Sequence, residues 1–272
     1  MTVKQFFLEG VDFIKQILIN RHLILDLTRR DFKTRYSQHL FGLSWAVLEP
    51  ISIMAILWVV FSLLYASATH SGYPFVSFLL CGIIPYDFFN KTINKGTRAI
   101  TSFSFLIKQV DFKIAILPLI YILSELVILI LILVVSFGIF SINHVPPSWY
   151  WFQLIYYIFA MCVLLLGVCW FTSSVLPFFP DIYIIISIVM RILFFLTPIF
   201  WDINRIPADL LPFLKINPLF YLVEGFRMSI LYHKPFWSDL HGTLFFWGVT
   251  LFFLILGVYV FKKLRPQFAD VL

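Results

Sequence analysis

Charge is scarce in this chain. Asp, Glu, Lys and Arg together make up 12% of its 272 residues, against about 25% in soluble domains. With 61% hydrophobic residues beside so little charge, a soluble fold would leave apolar patches without a water-compatible partner. Cysteine is nearly absent: Cys81, Cys162 and Cys169 all fall in apolar runs and show no CxxC spacing. Neither a disulfide framework nor a metal site is suggested by that pattern. No glycine-rich loop ends in Lys and Ser or Thr, so no phosphate-cradling nucleotide site is visible. HExxH and GxSxG are also missing, and the six histidines are scattered. A membrane-embedded enzyme acting on lipid-linked sugars needs an acid cluster or a metal site at one membrane face, and neither is found. A proton-driven transporter would show more acids near the midplane.

What is present in abundance is long apolar sequence. Continuous runs, rather than short alternating segments, point to an all-α integral membrane protein and away from a barrel. Six spans are expected, at residues 43–65, 73–89, 114–140, 152–176, 182–200 and 244–261. They form a single transmembrane domain over 1–272. No cleavable signal peptide is expected, because the apolar piece near Val11–Ile19 contains Asp12 and Lys15 and no small-residue cleavage site follows.

The stretch Asp26–Pro50 organises the rest. Arg29, Arg30, Lys33 and Arg35 crowd its first half, and its second half opens a run to Ala68 in which Glu49 is the only charge. Within residues 1–41, His22, Asp26, Arg29, Arg30 and Lys33 share one helical stripe at about 100° per residue. Leucines, Phe32 and Tyr36 fill much of the remainder, interrupted by Asp31 and Arg35. An amphipathic interface helix fits this pattern; so does a solvated face on a cytoplasmic helix.

The distribution of basic residues sets the topology. Of 20 Lys and Arg, 15 lie before the first span, in the loop after the second, or after the sixth. The positive-inside rule puts those segments and both termini in the cytoplasm. The net charge of +6 then suits anionic headgroups and is not a nucleic-acid signal. Trp149, Tyr150 and Trp151 mark the outer interface.

The interval 203–232 is unlike an ordinary external loop. Pro207, Pro212 and Pro218 punctuate it, yet its apolar pieces are too short to cross about 30 Å of hydrocarbon. Two short re-entrant helices fit, lining or capping a pathway; the alternative is a surface cap that stays out of the membrane. Of the intramembrane charges, Glu125 and Arg191 stand out as functional candidates, with pairing to each other as the structural alternative. Glu49 and Asp87 lie near membrane ends. Glu224 and Arg227, three apart, are placed to pair on a helix. Aromatic residues make up 19% of the chain; facing lipid and lining a pore that stacks on sugar rings are both open uses.

Six stretches, in order, carry a resemblance to a known family. They are DFKTRYSQHLFGLSWAVLEP, FLLCGIIPYDFF, FLIKQVDFKIAILPL, LTPIFWD, INPLFYLVEGFR and the tail KKLRPQFADVL. Together they resemble the permease subunits of ABC-2 type transporters that export polysaccharides: O-antigen, capsule or teichoic acid. The chain departs from the family pattern in the coupling segment, with Phe112, Lys113 and Ile114 in place of Phe-Pro-Arg and Lys108 and Gln109 in place of paired lysines. The residues after Asp181 also lack the usual basic residue.

The resemblance implies half of a homodimeric channel in the bacterial cell (inner) membrane, bound to two copies of a P-loop ATPase. ATP and Mg would sit on that partner, and no cofactor on this chain. The interface helix and a cytoplasmic coupling helix, with Arg98, Phe105, Lys108, Gln109, Asp111, Phe112 and Lys113, would receive the ATPase stroke. Pro207, Pro218, Glu224 and Arg227 would belong to an external gate. The substrate would be a polyprenyl-pyrophosphate-linked glycan, whose charged head would meet Arg29, Arg30, Lys33 or Arg35. An exporter of small lipids or drugs is the runner-up.

Overall fold

A computed structural model describes residues 13, 15–36, 41–64, 72–104, 114–207 and 209–271. The architecture is all-helical. In chain order the helices are α1 (Arg21–Tyr36), α2 (Trp45–Leu64), α3 (Phe75–Thr97), α4 (Ala99–Ser102), α5 (Leu117–Ile142) and α6 (Gln153–Val175). They continue with α7 (Ile182–Leu196), α8 (Leu211–Lys215), α9 (Pro218–Ile230), α10 (Leu240–Leu264) and α11 (Phe268–Val271).

Local chemistry explains where several helices begin and end. Pro74 precedes α3, and Pro118 and Pro218 stand in the first turns of α5 and α9, where a missing N–H has no intrahelical partner to lose. The Asn217 side chain accepts a hydrogen bond from the Leu219 N–H at 2.9 Å, and Asp239 accepts from the Gly242 N–H at 3.0 Å. Both act as N-caps. Lys262 and Lys263 sit in the last turn of α10, where the helix dipole favours cations.

Three helical segments are long and apolar enough to cross a membrane: Ile114–Ile142, Trp149–Val175 and Leu240–Gln267. Leu48–Val60 and Ile182–Leu196 are shorter apolar helices. The centre of the molecule is α3 and α6, packed against α5, α9 and α10. Phe78, Leu79, Ile84, Leu164, Leu222 and Phe226 meet there in one buried cluster.

Side-chain size decides how closely α6 and α10 approach. A Cβ on Gly167 would lie 2.7 Å from the Leu254 backbone N, and Gly257 faces the Gly167 carbonyl in turn. Small residues at a helix crossing let backbones touch where lipid supplies no hydrophobic drive. By contrast α2 and α7 are peripheral. Among the described side chains of α2 only Pro50 and Met54 are buried, and on α7 only Met190.

The apolar segment expected at 73–89 lies inside a helix that runs on to Thr97, two turns into the interval expected to be a polar loop. Lys91 and Lys95 sit in that extension with carboxylate partners, so a helix can carry them through a protein interior. In α1 the polar stripe His22, Asp26, Arg29, Arg30 and Lys33 is exposed, while Ile24 and Leu27 are buried. Neither α8 nor α9, at 5 and 13 residues, spans about 30 Å at about 1.5 Å per residue. Ten residues of α9 are nonetheless buried, held against α3 and α6.

Candidate functional site

Two clusters of buried charge sit at opposite ends of α3. Between Phe78 and Lys95 that helix rises about 25 Å, close to the thickness of a bilayer's hydrocarbon core.

The first gathers on Glu125 of α5, whose side chain is 1% exposed. Its Oε1 accepts from the Lys95 Nζ at 2.6 Å and also from the Arg35 guanidinium, which pairs with Asp31 one turn back on α1. Three elements, α1, α3 and α5, are thus held at a single carboxylate. Burial opposes the Arg35 charge, but the Asp31 hydrogen bond and the Glu125 carboxylate raise its pKa above the ordinary guanidinium value. It stays cationic at any physiological pH.

One turn along α3, Lys91 bonds to Asp87 at 3.0 Å and lies 3.6 Å from Glu49 of α2. A void of about 10 Å³ lies between this pair and Glu125, bounded by Asp87, Lys91, Glu125 and apolar side chains. That is about the size of one water. Breaking a buried pair by deleting one partner costs about 3–5 kcal/mol, so the two links on Glu125 fix α1 and α3 to α5.

The second cluster is built on Arg227, fully buried in α9. Its Nη1 donates to Glu224 at 2.6 Å and its Nη2 to the Ile199 carbonyl at 2.9 Å. The guanidinium carbon stands 3.5 Å from the centre of the Phe78 ring, a cation–π contact. Nearby, Asn217 Nδ2 donates to Thr197 Oγ1 at 2.8 Å. So α9 is clasped to α3 and to the segment that follows α7. Gly82 lets that segment approach, since a Cβ there would lie 2.8 Å from the Ile199 backbone.

The positions singled out from sequence are distributed as follows. Glu224 and Arg227 pair as their spacing implies. Glu125 does not pair with Arg191: Arg191 is exposed on α7, while Glu125 faces α1 and α3, which supply two nearer cations. Arg29, Arg30 and Lys33 are exposed on α1, whereas Arg35 turns inward. Pro207 is exposed and Pro218 half-buried at the start of α9. Arg98 lies over the Tyr183 ring at 3.8 Å, joining the end of α3 to the start of α7. Phe105, Lys108, Gln109, Asp111, Phe112 and Lys113 lie outside the described residues. Sequence reasoning missed Lys95 and Asp31 as partners. The signal was present: Asp87, Lys91 and Lys95 recur every four residues, a single stripe on a helix. Among the described residues no group of His, Cys, Asp and Glu is arranged to hold a metal ion.

Long apolar helices with buried charge clusters at both ends of a central helix define a polytopic helical membrane protein. The chain belongs to the ABC-2 type transporter family, whose family model matches residues 22–231. It is 25% identical over 252 residues to the O-antigen export system permease protein RfbA of Klebsiella pneumoniae, covering 92% of this chain and 95% of that protein. The permease of the same name from Myxococcus xanthus is 21% identical over 96% of this chain and 99% of its own length. The polysialic acid transport protein KpsM of Escherichia coli is 26% identical over 74% of this chain and 78% of its own.

Proposed function

We propose that the chain is the permease subunit of an ABC transporter that exports a polysaccharide built on a polyprenyl-pyrophosphate carrier. One observation supports the substrate class above others: near end-to-end similarity to proteins named for O-antigen export. A separate ATPase supplies the energy, and both termini face the cytoplasm with it. The six membrane-crossing segments are α2, α3, α5, α6, α7 and α10. The peripheral, apolar faces of α2 and α7 meet their counterparts in a second copy and enclose the conduit.

On this reading α1 lies at the cytoplasmic interface and receives the ATPase stroke together with the 98–113 segment. Arg35 transmits displacement of α1 to α5 and α3 through Glu125 and Lys95. The exposed Arg29, Arg30 and Lys33 offer cations to the pyrophosphate head as it leaves the cytoplasmic leaflet. At the far face, α8 and α9 close the exit, and the Arg227 clasp holds α9 in its closed seat.

The test is genetic and biochemical. Deleting this chain from its host should leave the glycan inside the cell, and restoring it with its ATPase should return the glycan to the surface. In proteoliposomes, lipid-linked glycan and a small amphiphile are offered side by side; transport of the amphiphile alone would refute the substrate class.

A further inference from the structure

A cavity of about 330 Å³ opens between α8, α9 and the start of α10, apart from the Glu125 cluster and adjoining the Arg227 clasp through Glu224. Its lining is mostly apolar, which suits a small-molecule pocket, and its volume falls at the lower end of the usual range of about 300–1,000 Å³. The polar groups around it are Lys215, Glu224, Asp239 and His241, with the rings of Tyr157 and Tyr221 beside them.

Three observations narrow the ligand. Charge is balanced: Arg227 neutralises Glu224, and Lys215 stands opposite Asp239 in sign. A balanced pocket favours a neutral guest over a phosphate or a cation. Each carboxylate also keeps a spare acceptor. Glu224 uses Oε1 for Arg227 and Asp239 uses Oδ1 for the Gly242 N–H; among the described residues the second oxygen of each makes no hydrogen bond. Spare carboxylate oxygens accept from hydroxyl donors. Third, Tyr157 is fully buried and its hydroxyl lies by Tyr221 without a hydrogen bond of good geometry, with its ring 5.6 Å from that of Tyr221. A buried polar group left unpaired is costly, and a ligand hydroxyl seated beside it removes that cost.

A neutral, polyhydroxylated molecule with an apolar face meets all three conditions. We propose that this cavity binds a single pyranose unit, its hydroxyls on Glu224, Asp239 and Tyr157 and its C–H face against the aromatic wall. The identification of that sugar with a unit of exported glycan rests on the export reading above. Since Glu224 belongs both to the cavity and to the Arg227 clasp, an occupied cavity bears directly on the seat of α9.

The test uses the full-length protein in lipid nanodiscs and saturation-transfer difference NMR. The probes are the methyl glycosides of glucose, galactose, mannose and N-acetylglucosamine, with glycerophosphoethanolamine as a parallel arm. At least one glycoside should bind, with the strongest transfer to ring C–H protons. Tyr157→Phe, which keeps the ring and removes the hydroxyl, should weaken it about tenfold. Ile216→Trp, a change at an exposed lining position, should abolish binding by filling the mouth. Failure of every glycoside to bind a protein that still supports export would overturn the site and leave the export reading standing. Binding unchanged in both variants, or binding of glycerophosphoethanolamine alone, would overturn it as well. Glycoside binding lost in the variants, in a protein that does not support export, upholds the site and removes the export reading instead.

Discussion

Arg35 and Glu125 lie 90 positions apart in the sequence and meet as a buried ion pair. Lys95 reaches the same carboxylate oxygen from a third helix. Together these contacts tie α1, with its exposed polar stripe, to α3 and α5. A displacement of α1 cannot leave α3 and α5 unmoved without parting charges that have little water to replace their partners.

Replacing the shared carboxylate should therefore be costly. Glu125→Leu leaves two cations side by side in a poorly hydrated place and should lower stability by about 3–5 kcal/mol, read from denaturant unfolding in detergent. Adding Lys95→Met should recover part of that loss, because Arg35 keeps Asp31. A coupling between the two changes of about 0.5–3 kcal/mol marks residues that share a network; simple additivity would contradict the geometry.

Arg227→Lys is the second case. Lysine keeps the charge but lacks the planar fork that reaches Glu224 and the Ile199 carbonyl at once while lying over Phe78. A loss of about 1–3 kcal/mol is expected. Chemical crosslinking between introduced cysteines on α9 and α3 should become less efficient in the variant. Unchanged stability and crosslinking would show that the clasp does not hold α9.

Gly167 tests the packing of α6 on α10. Gly167→Val forces the helices apart at a point where even a Cβ meets the Leu254 backbone at 2.7 Å. Overpacking of this kind costs about 1–3 kcal/mol, and the yield of folded protein after detergent extraction should fall. Gly248→Ala, at a position with open space around it, should leave the yield unchanged.

Asn217→Ala removes an N-cap and a bond to Thr197 together. A loss of about 1–2 kcal/mol follows from the cap. Asn217→Asp should keep the cap and lose only the donor to Thr197, so its melting temperature should fall between those of wild type and the alanine variant.

Much of this fold was legible from the residues. The stripe from His22 to Lys33 follows from helical periodicity, and the three-residue spacing of Glu224 and Arg227 is a local signal that the structure repeats. The prolines between Pro207 and Pro218 marked two short helices rather than another crossing. What escaped was non-local. Lys95 falls in an interval that reads as a polar loop, because its partner Glu125 lies 30 residues away on α5. Glu125 and Arg191 both interrupt apolar runs, which leaves their pairing open as an alternative, whereas Arg35 of α1, paired with Asp31, supplies the actual connection. Charges that break an apolar helical face are worth pairing with each other before any other assignment is made.

The most direct test of a passive conduit worked by an external motor is reconstitution of the purified chain in liposomes, alone and with its ATPase. Alone, it should neither hydrolyse ATP nor move lipid-linked glycan; with the ATPase it should do both, and Glu125→Gln should reduce glycan movement more than hydrolysis. ATP turnover or net glycan transport by the isolated chain would contradict the account.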